Sequence, residues 1–144
     1  MALAWSDVVA EMKAVSDGAF IATTGADGRP HLAWVSFGHR DDGTMVMSTF
    51  RSSAKARNLL AGNHHVAIHL PEGNHPQIFV RAEARLVDDM VEQEALWNAR
   101  LLPYDPASFF GTFDNPEVLF VVLTPVYASV QRALGRAPEV WRRP

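Results

Sequence analysis

The sequence predicts a mainly β protein in which about six antiparallel strands close into a small β-barrel, with short helices between them. Short apolar segments are separated by turn signals, of which Asp27-Gly28 and Asp42-Gly43 favour hairpins and antiparallel pairing. The segment from Ile78 to Val87 has the period of two that is typical of a strand with one buried face. Closure into a barrel would remove the exposed edges that an open sheet of these strands would have.

Composition indicates one domain over residues 1–144, with a core from about residue 5 to residue 130 and a basic C-terminal tail at 131–144. The chain is 48% hydrophobic and 20% charged, and its formal net charge of -3 argues against nucleic acid or a membrane surface as a partner. The absence of cysteine excludes disulfides, thiolate nucleophiles and cysteine-based metal sites. No apolar stretch approaches the ~18 residues of a membrane span, so we expect a cytoplasmic protein.

The first half of the chain is predicted to contain two helices and four strands. Val8, Met12 and Val15 have helical spacing, which predicts a helix from Ser6 to Ser16. The predicted strands are 20–24, 32–37, 44–49 and 66–70, and a second helix runs from Ser52 to Ala61. Strand 32–37 carries bulky residues on both faces, so we expect the core to cover one face and a ligand or second subunit to cover the other. Because Asp42-Gly43 joins them, strands 32–37 and 44–49 are predicted to pair directly.

The second half is predicted to begin with a turn at Glu72-Gly73-Asn74, followed by the alternating strand. Asp88 or Asp89 should cap a helix that runs to about Leu101. Residues 102–115 are rich in proline, tyrosine, phenylalanine and glycine, which indicates a long ordered loop with a helical turn near Ala107, of the kind that covers a site or an interface. The continuous apolar run 118–124 suits a strand that is buried on both faces.

The junction between strand 44–49 and the following helix has the composition of an anion site. Hydroxyl groups of Thr49, Ser52 and Ser53 lie next to the cations Arg51 and Lys55. Phosphate oxygens accept several short hydrogen bonds and favour this combination of donors beside a helix N-terminus. No carboxylate occurs between Asp42 and Glu72 to cancel the charge. An ordinary capped helix with a solvated basic face is the alternative that the segment leaves open.

Several segments together carry a resemblance to a known family. They are Phe20-Ile21-Ala22-Thr23-Thr24, Asp27-Gly28-Arg29-Pro30-His31, Ser48-Thr49, Ser53-Ala54-Lys55-Ala56-Arg57-Asn58-Leu59, Ala84-Arg85-Leu86-Val87 and Asp114-Asn115-Pro116. In order and spacing they resemble the pyridoxamine 5′-phosphate oxidase-like FMN-binding split-barrel family, and within it the general stress protein branch. The resemblance implies a six-stranded antiparallel split β-barrel that forms a homodimer and binds FMN at the dimer interface.

The resemblance also implies which residues bind the cofactor. Thr49, Ser53 and Lys55 match the family's phosphate-binding positions, and Arg51 is a plausible addition. Four residues of one strand would lie along the flavin ring: His31, Ala33, Trp34 and Val35.

The implied function is that of an FMN-dependent oxidoreductase with an unidentified small organic substrate. Pyridoxamine 5′-phosphate oxidases have an arginine and a lysine on the strand that corresponds to 31–37, and this chain has neither there, so oxidation of that vitamer is not expected. The flavin itself would supply the redox chemistry, so no residue is assigned a catalytic role. The expected electron donor is a reduced nicotinamide or an equivalent donor. His31, Trp34 and the loop around Phe109 to Phe113 are the candidate walls of the site.

Two other functions remain open at this point. Members of the same fold bind a deazaflavin, whose longer acidic tail would use Arg51, Lys55 and Arg57 together. A non-enzymatic flavin or tetrapyrrole sensor or carrier is the second. A metal site is not predicted, because His65 and His69 would lie ~13 Å apart on a strand that rises ~3.3 Å per residue.

Overall fold

Eight strands form one antiparallel sheet in the part of the chain that the structure, a computed structural model, describes: residues 3–71 and 76–144. In chain order the strands are β1 (Gly18–Thr24), β2 (Pro30–Ser36), β3 (Gly38–His39), β4 (Met45–Phe50), β5 (His65–Pro71), β6 (Gln77–Leu86), β7 (Val118–Gln131) and β8 (Glu139–Arg142). The helices are α1 (Trp5–Val15), α2 (Ala54–Leu60), α3 (Met90–Asn98) and α4 (Ala107–Phe110). The predicted mainly β, antiparallel architecture is confirmed.

The strand order explains why the sheet curls. Neighbouring strands follow the order β2-β1-β5-β6-β7-β4-β3, with β8 added beside β7. β2 and β3 therefore lie at opposite ends of the order, yet only Phe37 separates them in the chain. The sheet must bend until its two ends meet, which gives the half-barrel expected of a split barrel. At this crossing a Cβ on Gly38 would lie 2.5 Å from the carbonyl oxygen of Leu101, so a larger residue would clash there.

The core fills the concave face of the sheet. α1 contributes Val8 and Met12 to it, and α2 contributes Ala56 and Leu59. The alternating strand predicted at 78–87 is β6, whose core face consists of Ile78, Val80, Ala82 and Ala84. A second buried cluster lies on the other side of β4 and β7, formed by residues such as Val46, Phe120, Leu96 and Phe110. β7 is thus buried on both faces over 118–123, as its continuous apolar run predicts.

The predicted direct pairing of strands 32–37 and 44–49 is wrong. β2 pairs with β1, and β4 pairs with β7. Only Gly38 and His39, after the end of β2, pair with β4, opposite Val46 and Met45. The turn at Asp42-Gly43 therefore closes a hairpin of two residue pairs, and the curl of the sheet brings β2 and β4 towards each other.

The end of the chain also differs from the prediction. β7 continues through Pro125 to Gln131, because the register against β6 shifts between Arg81 and Ala82 and this bulge accommodates a residue without an N–H. The segment 131–144, predicted to be a basic tail, contributes β8, and Trp141 is only 9% exposed against Trp5, with ring centroids 4.8 Å apart. The predicted turn at Glu72-Gly73-Asn74 lies outside the described residues.

The outer face of the sheet carries a row of rings across four strands, here called the outer row: Trp34, Phe20, His69 and Phe79. The Phe20 ring contacts the edge of Trp34 at 5.2 Å between centroids, and His69 stacks on Phe79 at 4.3 Å. Trp34 and Phe79 are 52% and 46% exposed in the single chain. Within the described ranges, no helix combines the length and the apolar character needed to span a membrane.

Candidate functional site

A cleft of about 400 Å³ lies where the curl brings β2 towards β4. The loop between α3 and β7 closes its third side. The residues that line it are Trp34, Val35, Ser36, Ser48, Thr49, Phe50, Lys55, Tyr104, Phe109 and Phe110. Its volume is within the usual range of small-molecule sites, ~300–1,000 Å³, and its mixture of aromatic walls with a few polar groups is typical of them.

The end of the cleft where α2 begins is polar, and Thr49 and Lys55 both line it. The hydroxyl groups of Thr49 and Ser53 share a hydrogen bond at 3.1 Å, and the Ser53 Oγ accepts the backbone N–H of Ala56 at 3.2 Å as the N-cap. Lys55 follows in the first turn of the helix. Ser53 is therefore the cap of α2, and its hydroxyl lies beside buried Thr49.

Lys55 is a half-buried cation for which the described residues supply no carboxylate. No ion pair or hydrogen bond of its ammonium group is found among them. Burial lowers the pKa of Lys55 from its ordinary value, because desolvation disfavours the charged form. An anion entering the cleft would provide the missing counter-charge.

Aromatic rings form the walls next to this cation. Phe50 on β4 packs against Phe110 with ring centroids 4.6 Å apart. Phe109 meets the edge of the Tyr104 ring at 5.4 Å, and Trp34 closes the β2 side. A planar, largely apolar group would find rings on several sides here, while an anionic substituent could reach Lys55.

Tyr104 is a polar residue of the cleft that the sequence analysis did not identify. Its hydroxyl is hydrogen-bonded to the hydroxyl of Ser48 on β4, 56 residues earlier in the chain. Burial raises the pKa of the Tyr104 phenol, although the hydrogen bonds to Ser48 act in the opposite direction. The pair fixes the loop after α3 against β4 and places a neutral donor in the cleft. No local sequence pattern reveals a contact over that separation.

The predicted site residues fall into two groups. Thr49, Lys55, Trp34 and Val35 line the cleft, and Ser53 is bonded to Thr49. Arg51, His31 and Ala33 do not line it. The last two lie on β2 opposite Thr23 and Ile21, nearer to the β1–β2 turn.

The fold brings a carboxylate to the junction from a distant part of the chain. Glu117 Oε2 accepts hydrogen bonds from the Ser52 hydroxyl at 2.6 Å and from the Ser52 backbone N–H at 3.3 Å. The expectation that Ser52 offers free donors is therefore wrong. The Arg51 N–H also bonds to the backbone oxygen of Glu117, at 2.8 Å.

A larger cavity, of about 500 Å³, lies between α1 and the C-terminal strands. Its cation is Arg132, which already pairs with Glu11 at 2.6 Å and with Glu139 at 2.7 Å. That guanidinium is neutralised by two carboxylates, so this cavity is less suited to an anionic ligand. Within the described residues, no group of three histidine, aspartate or glutamate side chains is placed to hold a metal ion.

Comparison with known proteins gives the following matches. The family model for pyridoxamine 5′-phosphate oxidase matches residues 7–129. A protein from Clostridium acetobutylicum, related to general stress protein 26 of B. subtilis, has a TM-score of 0.75 at 16% identity, over 97% of this chain and 96% of its own. A pyridoxamine 5′-phosphate oxidase-related, FMN binding protein from Nostoc punctiforme has a TM-score of 0.72 at 18% identity, over 100% of this chain and 94% of its own.

A heme binding protein from Mycobacterium smegmatis is also similar, with a TM-score of 0.75 at 15% identity, over 99% of this chain and 59% of its own. At such identities the structural likeness establishes the fold and leaves the ligand open. No curated protein matches the chain significantly.

Replacing Tyr104 by phenylalanine should remove the tyrosine whose pKa is raised. Because the pKa of the folded phenol lies above its unfolded value of ~10, burial of the neutral group contributes stability that is fully present below about pH 10 and is lost as the pH rises through the folded pKa. We expect alkaline absorbance titration of Tyr104→Phe to lack the component that titrates at higher pH, and its urea unfolding to depend less on alkaline pH. Tyr127→Phe, which keeps the phenol of Tyr104, is the matched control. An unchanged high-pH component in Tyr104→Phe would contradict the assignment.

Proposed function

The chain belongs to the pyridoxamine 5′-phosphate oxidase family, and from this we propose that it is an FMN-binding oxidoreductase acting on a small organic substrate. The observation that carries the proposal is the half-buried Lys55 at the end of an aromatic cleft, which has no carboxylate partner among the described residues. A structural neighbour described as an FMN binding protein supports it. The described residues thus offer both parts that a flavin phosphate requires, namely a cation with hydroxyls and a largely apolar cleft.

The residues at the α2 end fit the phosphate of FMN. Lys55 would supply a charge-assisted hydrogen bond, and the hydroxyl groups of Thr49 and Ser53 lie beside it as further donors. Arg51 is close in sequence and its guanidinium has no partner among the described residues, so it could reach an exposed phosphate oxygen. In this proposal the phosphate gives the cofactor its orientation, and the helix cap fixes the position of the donors.

The aromatic part of the cleft fits the flavin ring. Trp34 and Val35 on β2 would lie along it, with Ala33 and His31 further along the same strand towards the β1–β2 turn. The hydroxyl groups of Tyr104 and Ser48 are bonded to each other, so the pair would have one remaining hydroxyl proton to donate to the polar edge of a ring. Bound FMN would supply hydride or electron transfer, while these side chains bind it, orient it and exclude water from one side.

The substrate is proposed to be a small organic acceptor that is reduced with electrons from a reduced nicotinamide. β2 has no arginine or lysine, which argues against a substrate whose own phosphate must be held on that strand. The reaction would oxidise the nicotinamide and reduce the acceptor by the same two electrons. A cytoplasmic location remains a prediction of the sequence.

Two alternative ligands are less well supported by the cleft. A deazaflavin with an acidic tail would use Arg51, Lys55 and Arg57, but Glu117 lies beside the first of these. The heme binding neighbour motivates a tetrapyrrole-binding sensor or carrier. However, among the described residues that line the cleft there is no histidine or methionine, and the hydroxyl of Tyr104 is engaged with Ser48. The absorption spectrum of the purified protein distinguishes flavin, deazaflavin and haem.

We also propose that the protein is a homodimer formed across the outer row. Trp34 and Phe79 present aromatic surface to solvent, and Leu32 beside them on β2 is 63% exposed. Contiguous apolar surface of this kind is typical of protein interfaces. The row begins at Trp34, which also lines the cleft, so a partner placed there would lie next to the cofactor.

Replacing Lys55 by alanine should weaken FMN binding about tenfold to a hundredfold. The lost charge-assisted contact is worth about 1.5–3 kcal/mol. Titration of flavin fluorescence measures the dissociation constants of FMN and of riboflavin, which lacks the phosphate and should bind both proteins alike. Lys13→Ala, which removes the other lysine of the chain, is the control and should bind FMN as the wild type does. Equal FMN affinity of the Lys55 variant and the wild type would exclude Lys55 from the site.

Stopped-flow mixing tests the oxidoreductase proposal. We expect a reduced nicotinamide to bleach the absorbance of the FMN-loaded protein and a small organic acceptor, such as a quinone, to restore it. Free FMN at the same concentration is the control for reaction outside the protein. If no nicotinamide bleaches the bound flavin faster than free flavin, a binding or sensing role becomes the better account.

Light scattering at micromolar concentration should give the mass of a dimer. Phe79→Arg should shift the protein towards the monomer, because it places a charge in the proposed interface, at the end of the outer row that is far from the cleft. Leu134→Arg is the matched control, since Leu134 is 89% exposed and lies outside the outer row. A monomeric wild type would refute the dimer.

A further inference from the structure

Glu117 occupies one part of the junction between β4 and α2 and leaves another part available. Its carboxylate accepts hydrogen bonds from both the hydroxyl and the backbone N–H of Ser52. The available part consists of Thr49, Ser53 and Lys55, which have no carboxylate partner among the described residues. Ser52 and Ser53 are consecutive residues, so the occupied part and the available part lie directly next to each other.

The position of Glu117 is fixed by the sheet and by the preceding turn. The antiparallel pairing of Phe50 with Val118 places Glu117 opposite Arg51. The backbone N–H of Arg51 donates a hydrogen bond to the backbone oxygen of Glu117 at 2.8 Å. On its other side, the N–H of Glu117 donates to Asn115 Oδ1 at 2.9 Å. The backbone of Glu117 is therefore held from both directions, which keeps its carboxylate within reach of Ser52.

The same turn connects the anion end with the aromatic wall. Asn115 Nδ2 donates to the backbone oxygen of Phe110 at 2.8 Å, and Phe110 lines the cleft. A ligand that displaced Glu117 from Ser52 would thus disturb a segment that also supports the wall. Binding of such a ligand would break the two hydrogen bonds between Ser52 and Glu117. Its anionic group would also lie close to the negative charge of the Glu117 carboxylate, which is unfavourable.

We propose that Glu117 is a specificity determinant that limits the site to ligands ending in a phosphate monoester. The inference rests on the proposed function and narrows it. A terminal phosphate needs only the available part of the junction. A flavin whose phosphate continues into a second anionic group, as in FAD or a deazaflavin with an acidic tail, would need further donors, and the donors of the adjacent Ser52 are already engaged by Glu117. Glu117 therefore favours FMN over both.

Fluorescence titrations of the protein with FMN, FAD and riboflavin test this. The wild type should bind FMN at least about tenfold more tightly than FAD. Glu117→Ala frees the hydroxyl and N–H donors of Ser52. It should reduce the ratio of FMN affinity to FAD affinity by about fivefold or more, mainly through tighter binding of FAD. Glu117→Gln keeps an acceptor oxygen for Ser52 without the charge, so its ratio should fall between those of the wild type and the alanine variant.

Two further variants complete the experiment. Ser52→Ala should bind FMN within about twofold of the wild type, because its donors are not part of the phosphate site. Glu94→Gln removes an exposed carboxylate of α3 that has no partner among the described residues, and should leave the FMN-to-FAD ratio unchanged. Circular dichroism of each variant checks that it is folded.

The possible failures are distinguishable. If Glu117→Ala and Glu117→Gln keep the wild-type ratio, or if Ser52→Ala loses FMN affinity tenfold, the role of Glu117 is refuted while FMN binding stands. If the wild type binds riboflavin as tightly as FMN, or binds neither FMN nor FAD, the proposed phosphate site is refuted and the role of Glu117 with it.

Discussion

The site depends on a single run of chain, residues 30–39, that pairs with both ends of the sheet. Its first part forms β2 against β1, and its last two residues form β3 against β4. Phe37 between them is buried, and its N–H bonds to the carbonyl oxygen of Asp17 at 3.1 Å. This anchor and the close approach of Leu101 to Gly38 hold the two ends together. Without that crossing, Trp34 and Thr49 would lie on opposite edges of an open sheet and no cleft would exist.

The cations of the protein show what is unusual about this cleft. Arg85 pairs with Glu92 through two hydrogen bonds, and Arg132 lies between two carboxylates. Lys55 is half-buried, and the described part of the chain supplies no such partner for it. Because the pKa of Lys55 is lowered on folding, burial of the charged form costs stability in full at pH values below the folded pKa, and this cost disappears as the pH rises from the folded pKa to the higher unfolded pKa. An anion that binds beside Lys55 would offset this cost and stabilise the folded protein. A cation in a cleft whose pKa is shifted and whose charge is not paired is therefore a sign of a functional site.

Local patterns in the sequence were sufficient for most elements of the fold. The alternation in β6 and a serine cap of α2, at Ser52 or Ser53, depend on neighbours within a few residues, so both can be recognised in the sequence. The extension of β7 past Pro125 could not be predicted, since it requires the bulge opposite Ala82. The contacts of Tyr104 with Ser48 and of Glu117 with Ser52 link residues 56 and 65 positions apart, so only the register of the sheet and the path of the loop reveal them. The cation and the hydroxyl groups of the cleft could thus be identified in the sequence. The contacts of Tyr104 and Glu117 could not.

Two of the aromatic residues that line the cleft remain exposed in the single chain. Trp34 is 52% exposed and Phe109 is 58% exposed. A ring bound between them would keep one side in water. Trp34 is at the same time the first ring of the outer row, so a second copy docked on that row would shield this side. Ligand binding and dimer formation would then bury the same tryptophan, and each would strengthen the other by the same free energy, because the coupling between two binding equilibria is reciprocal.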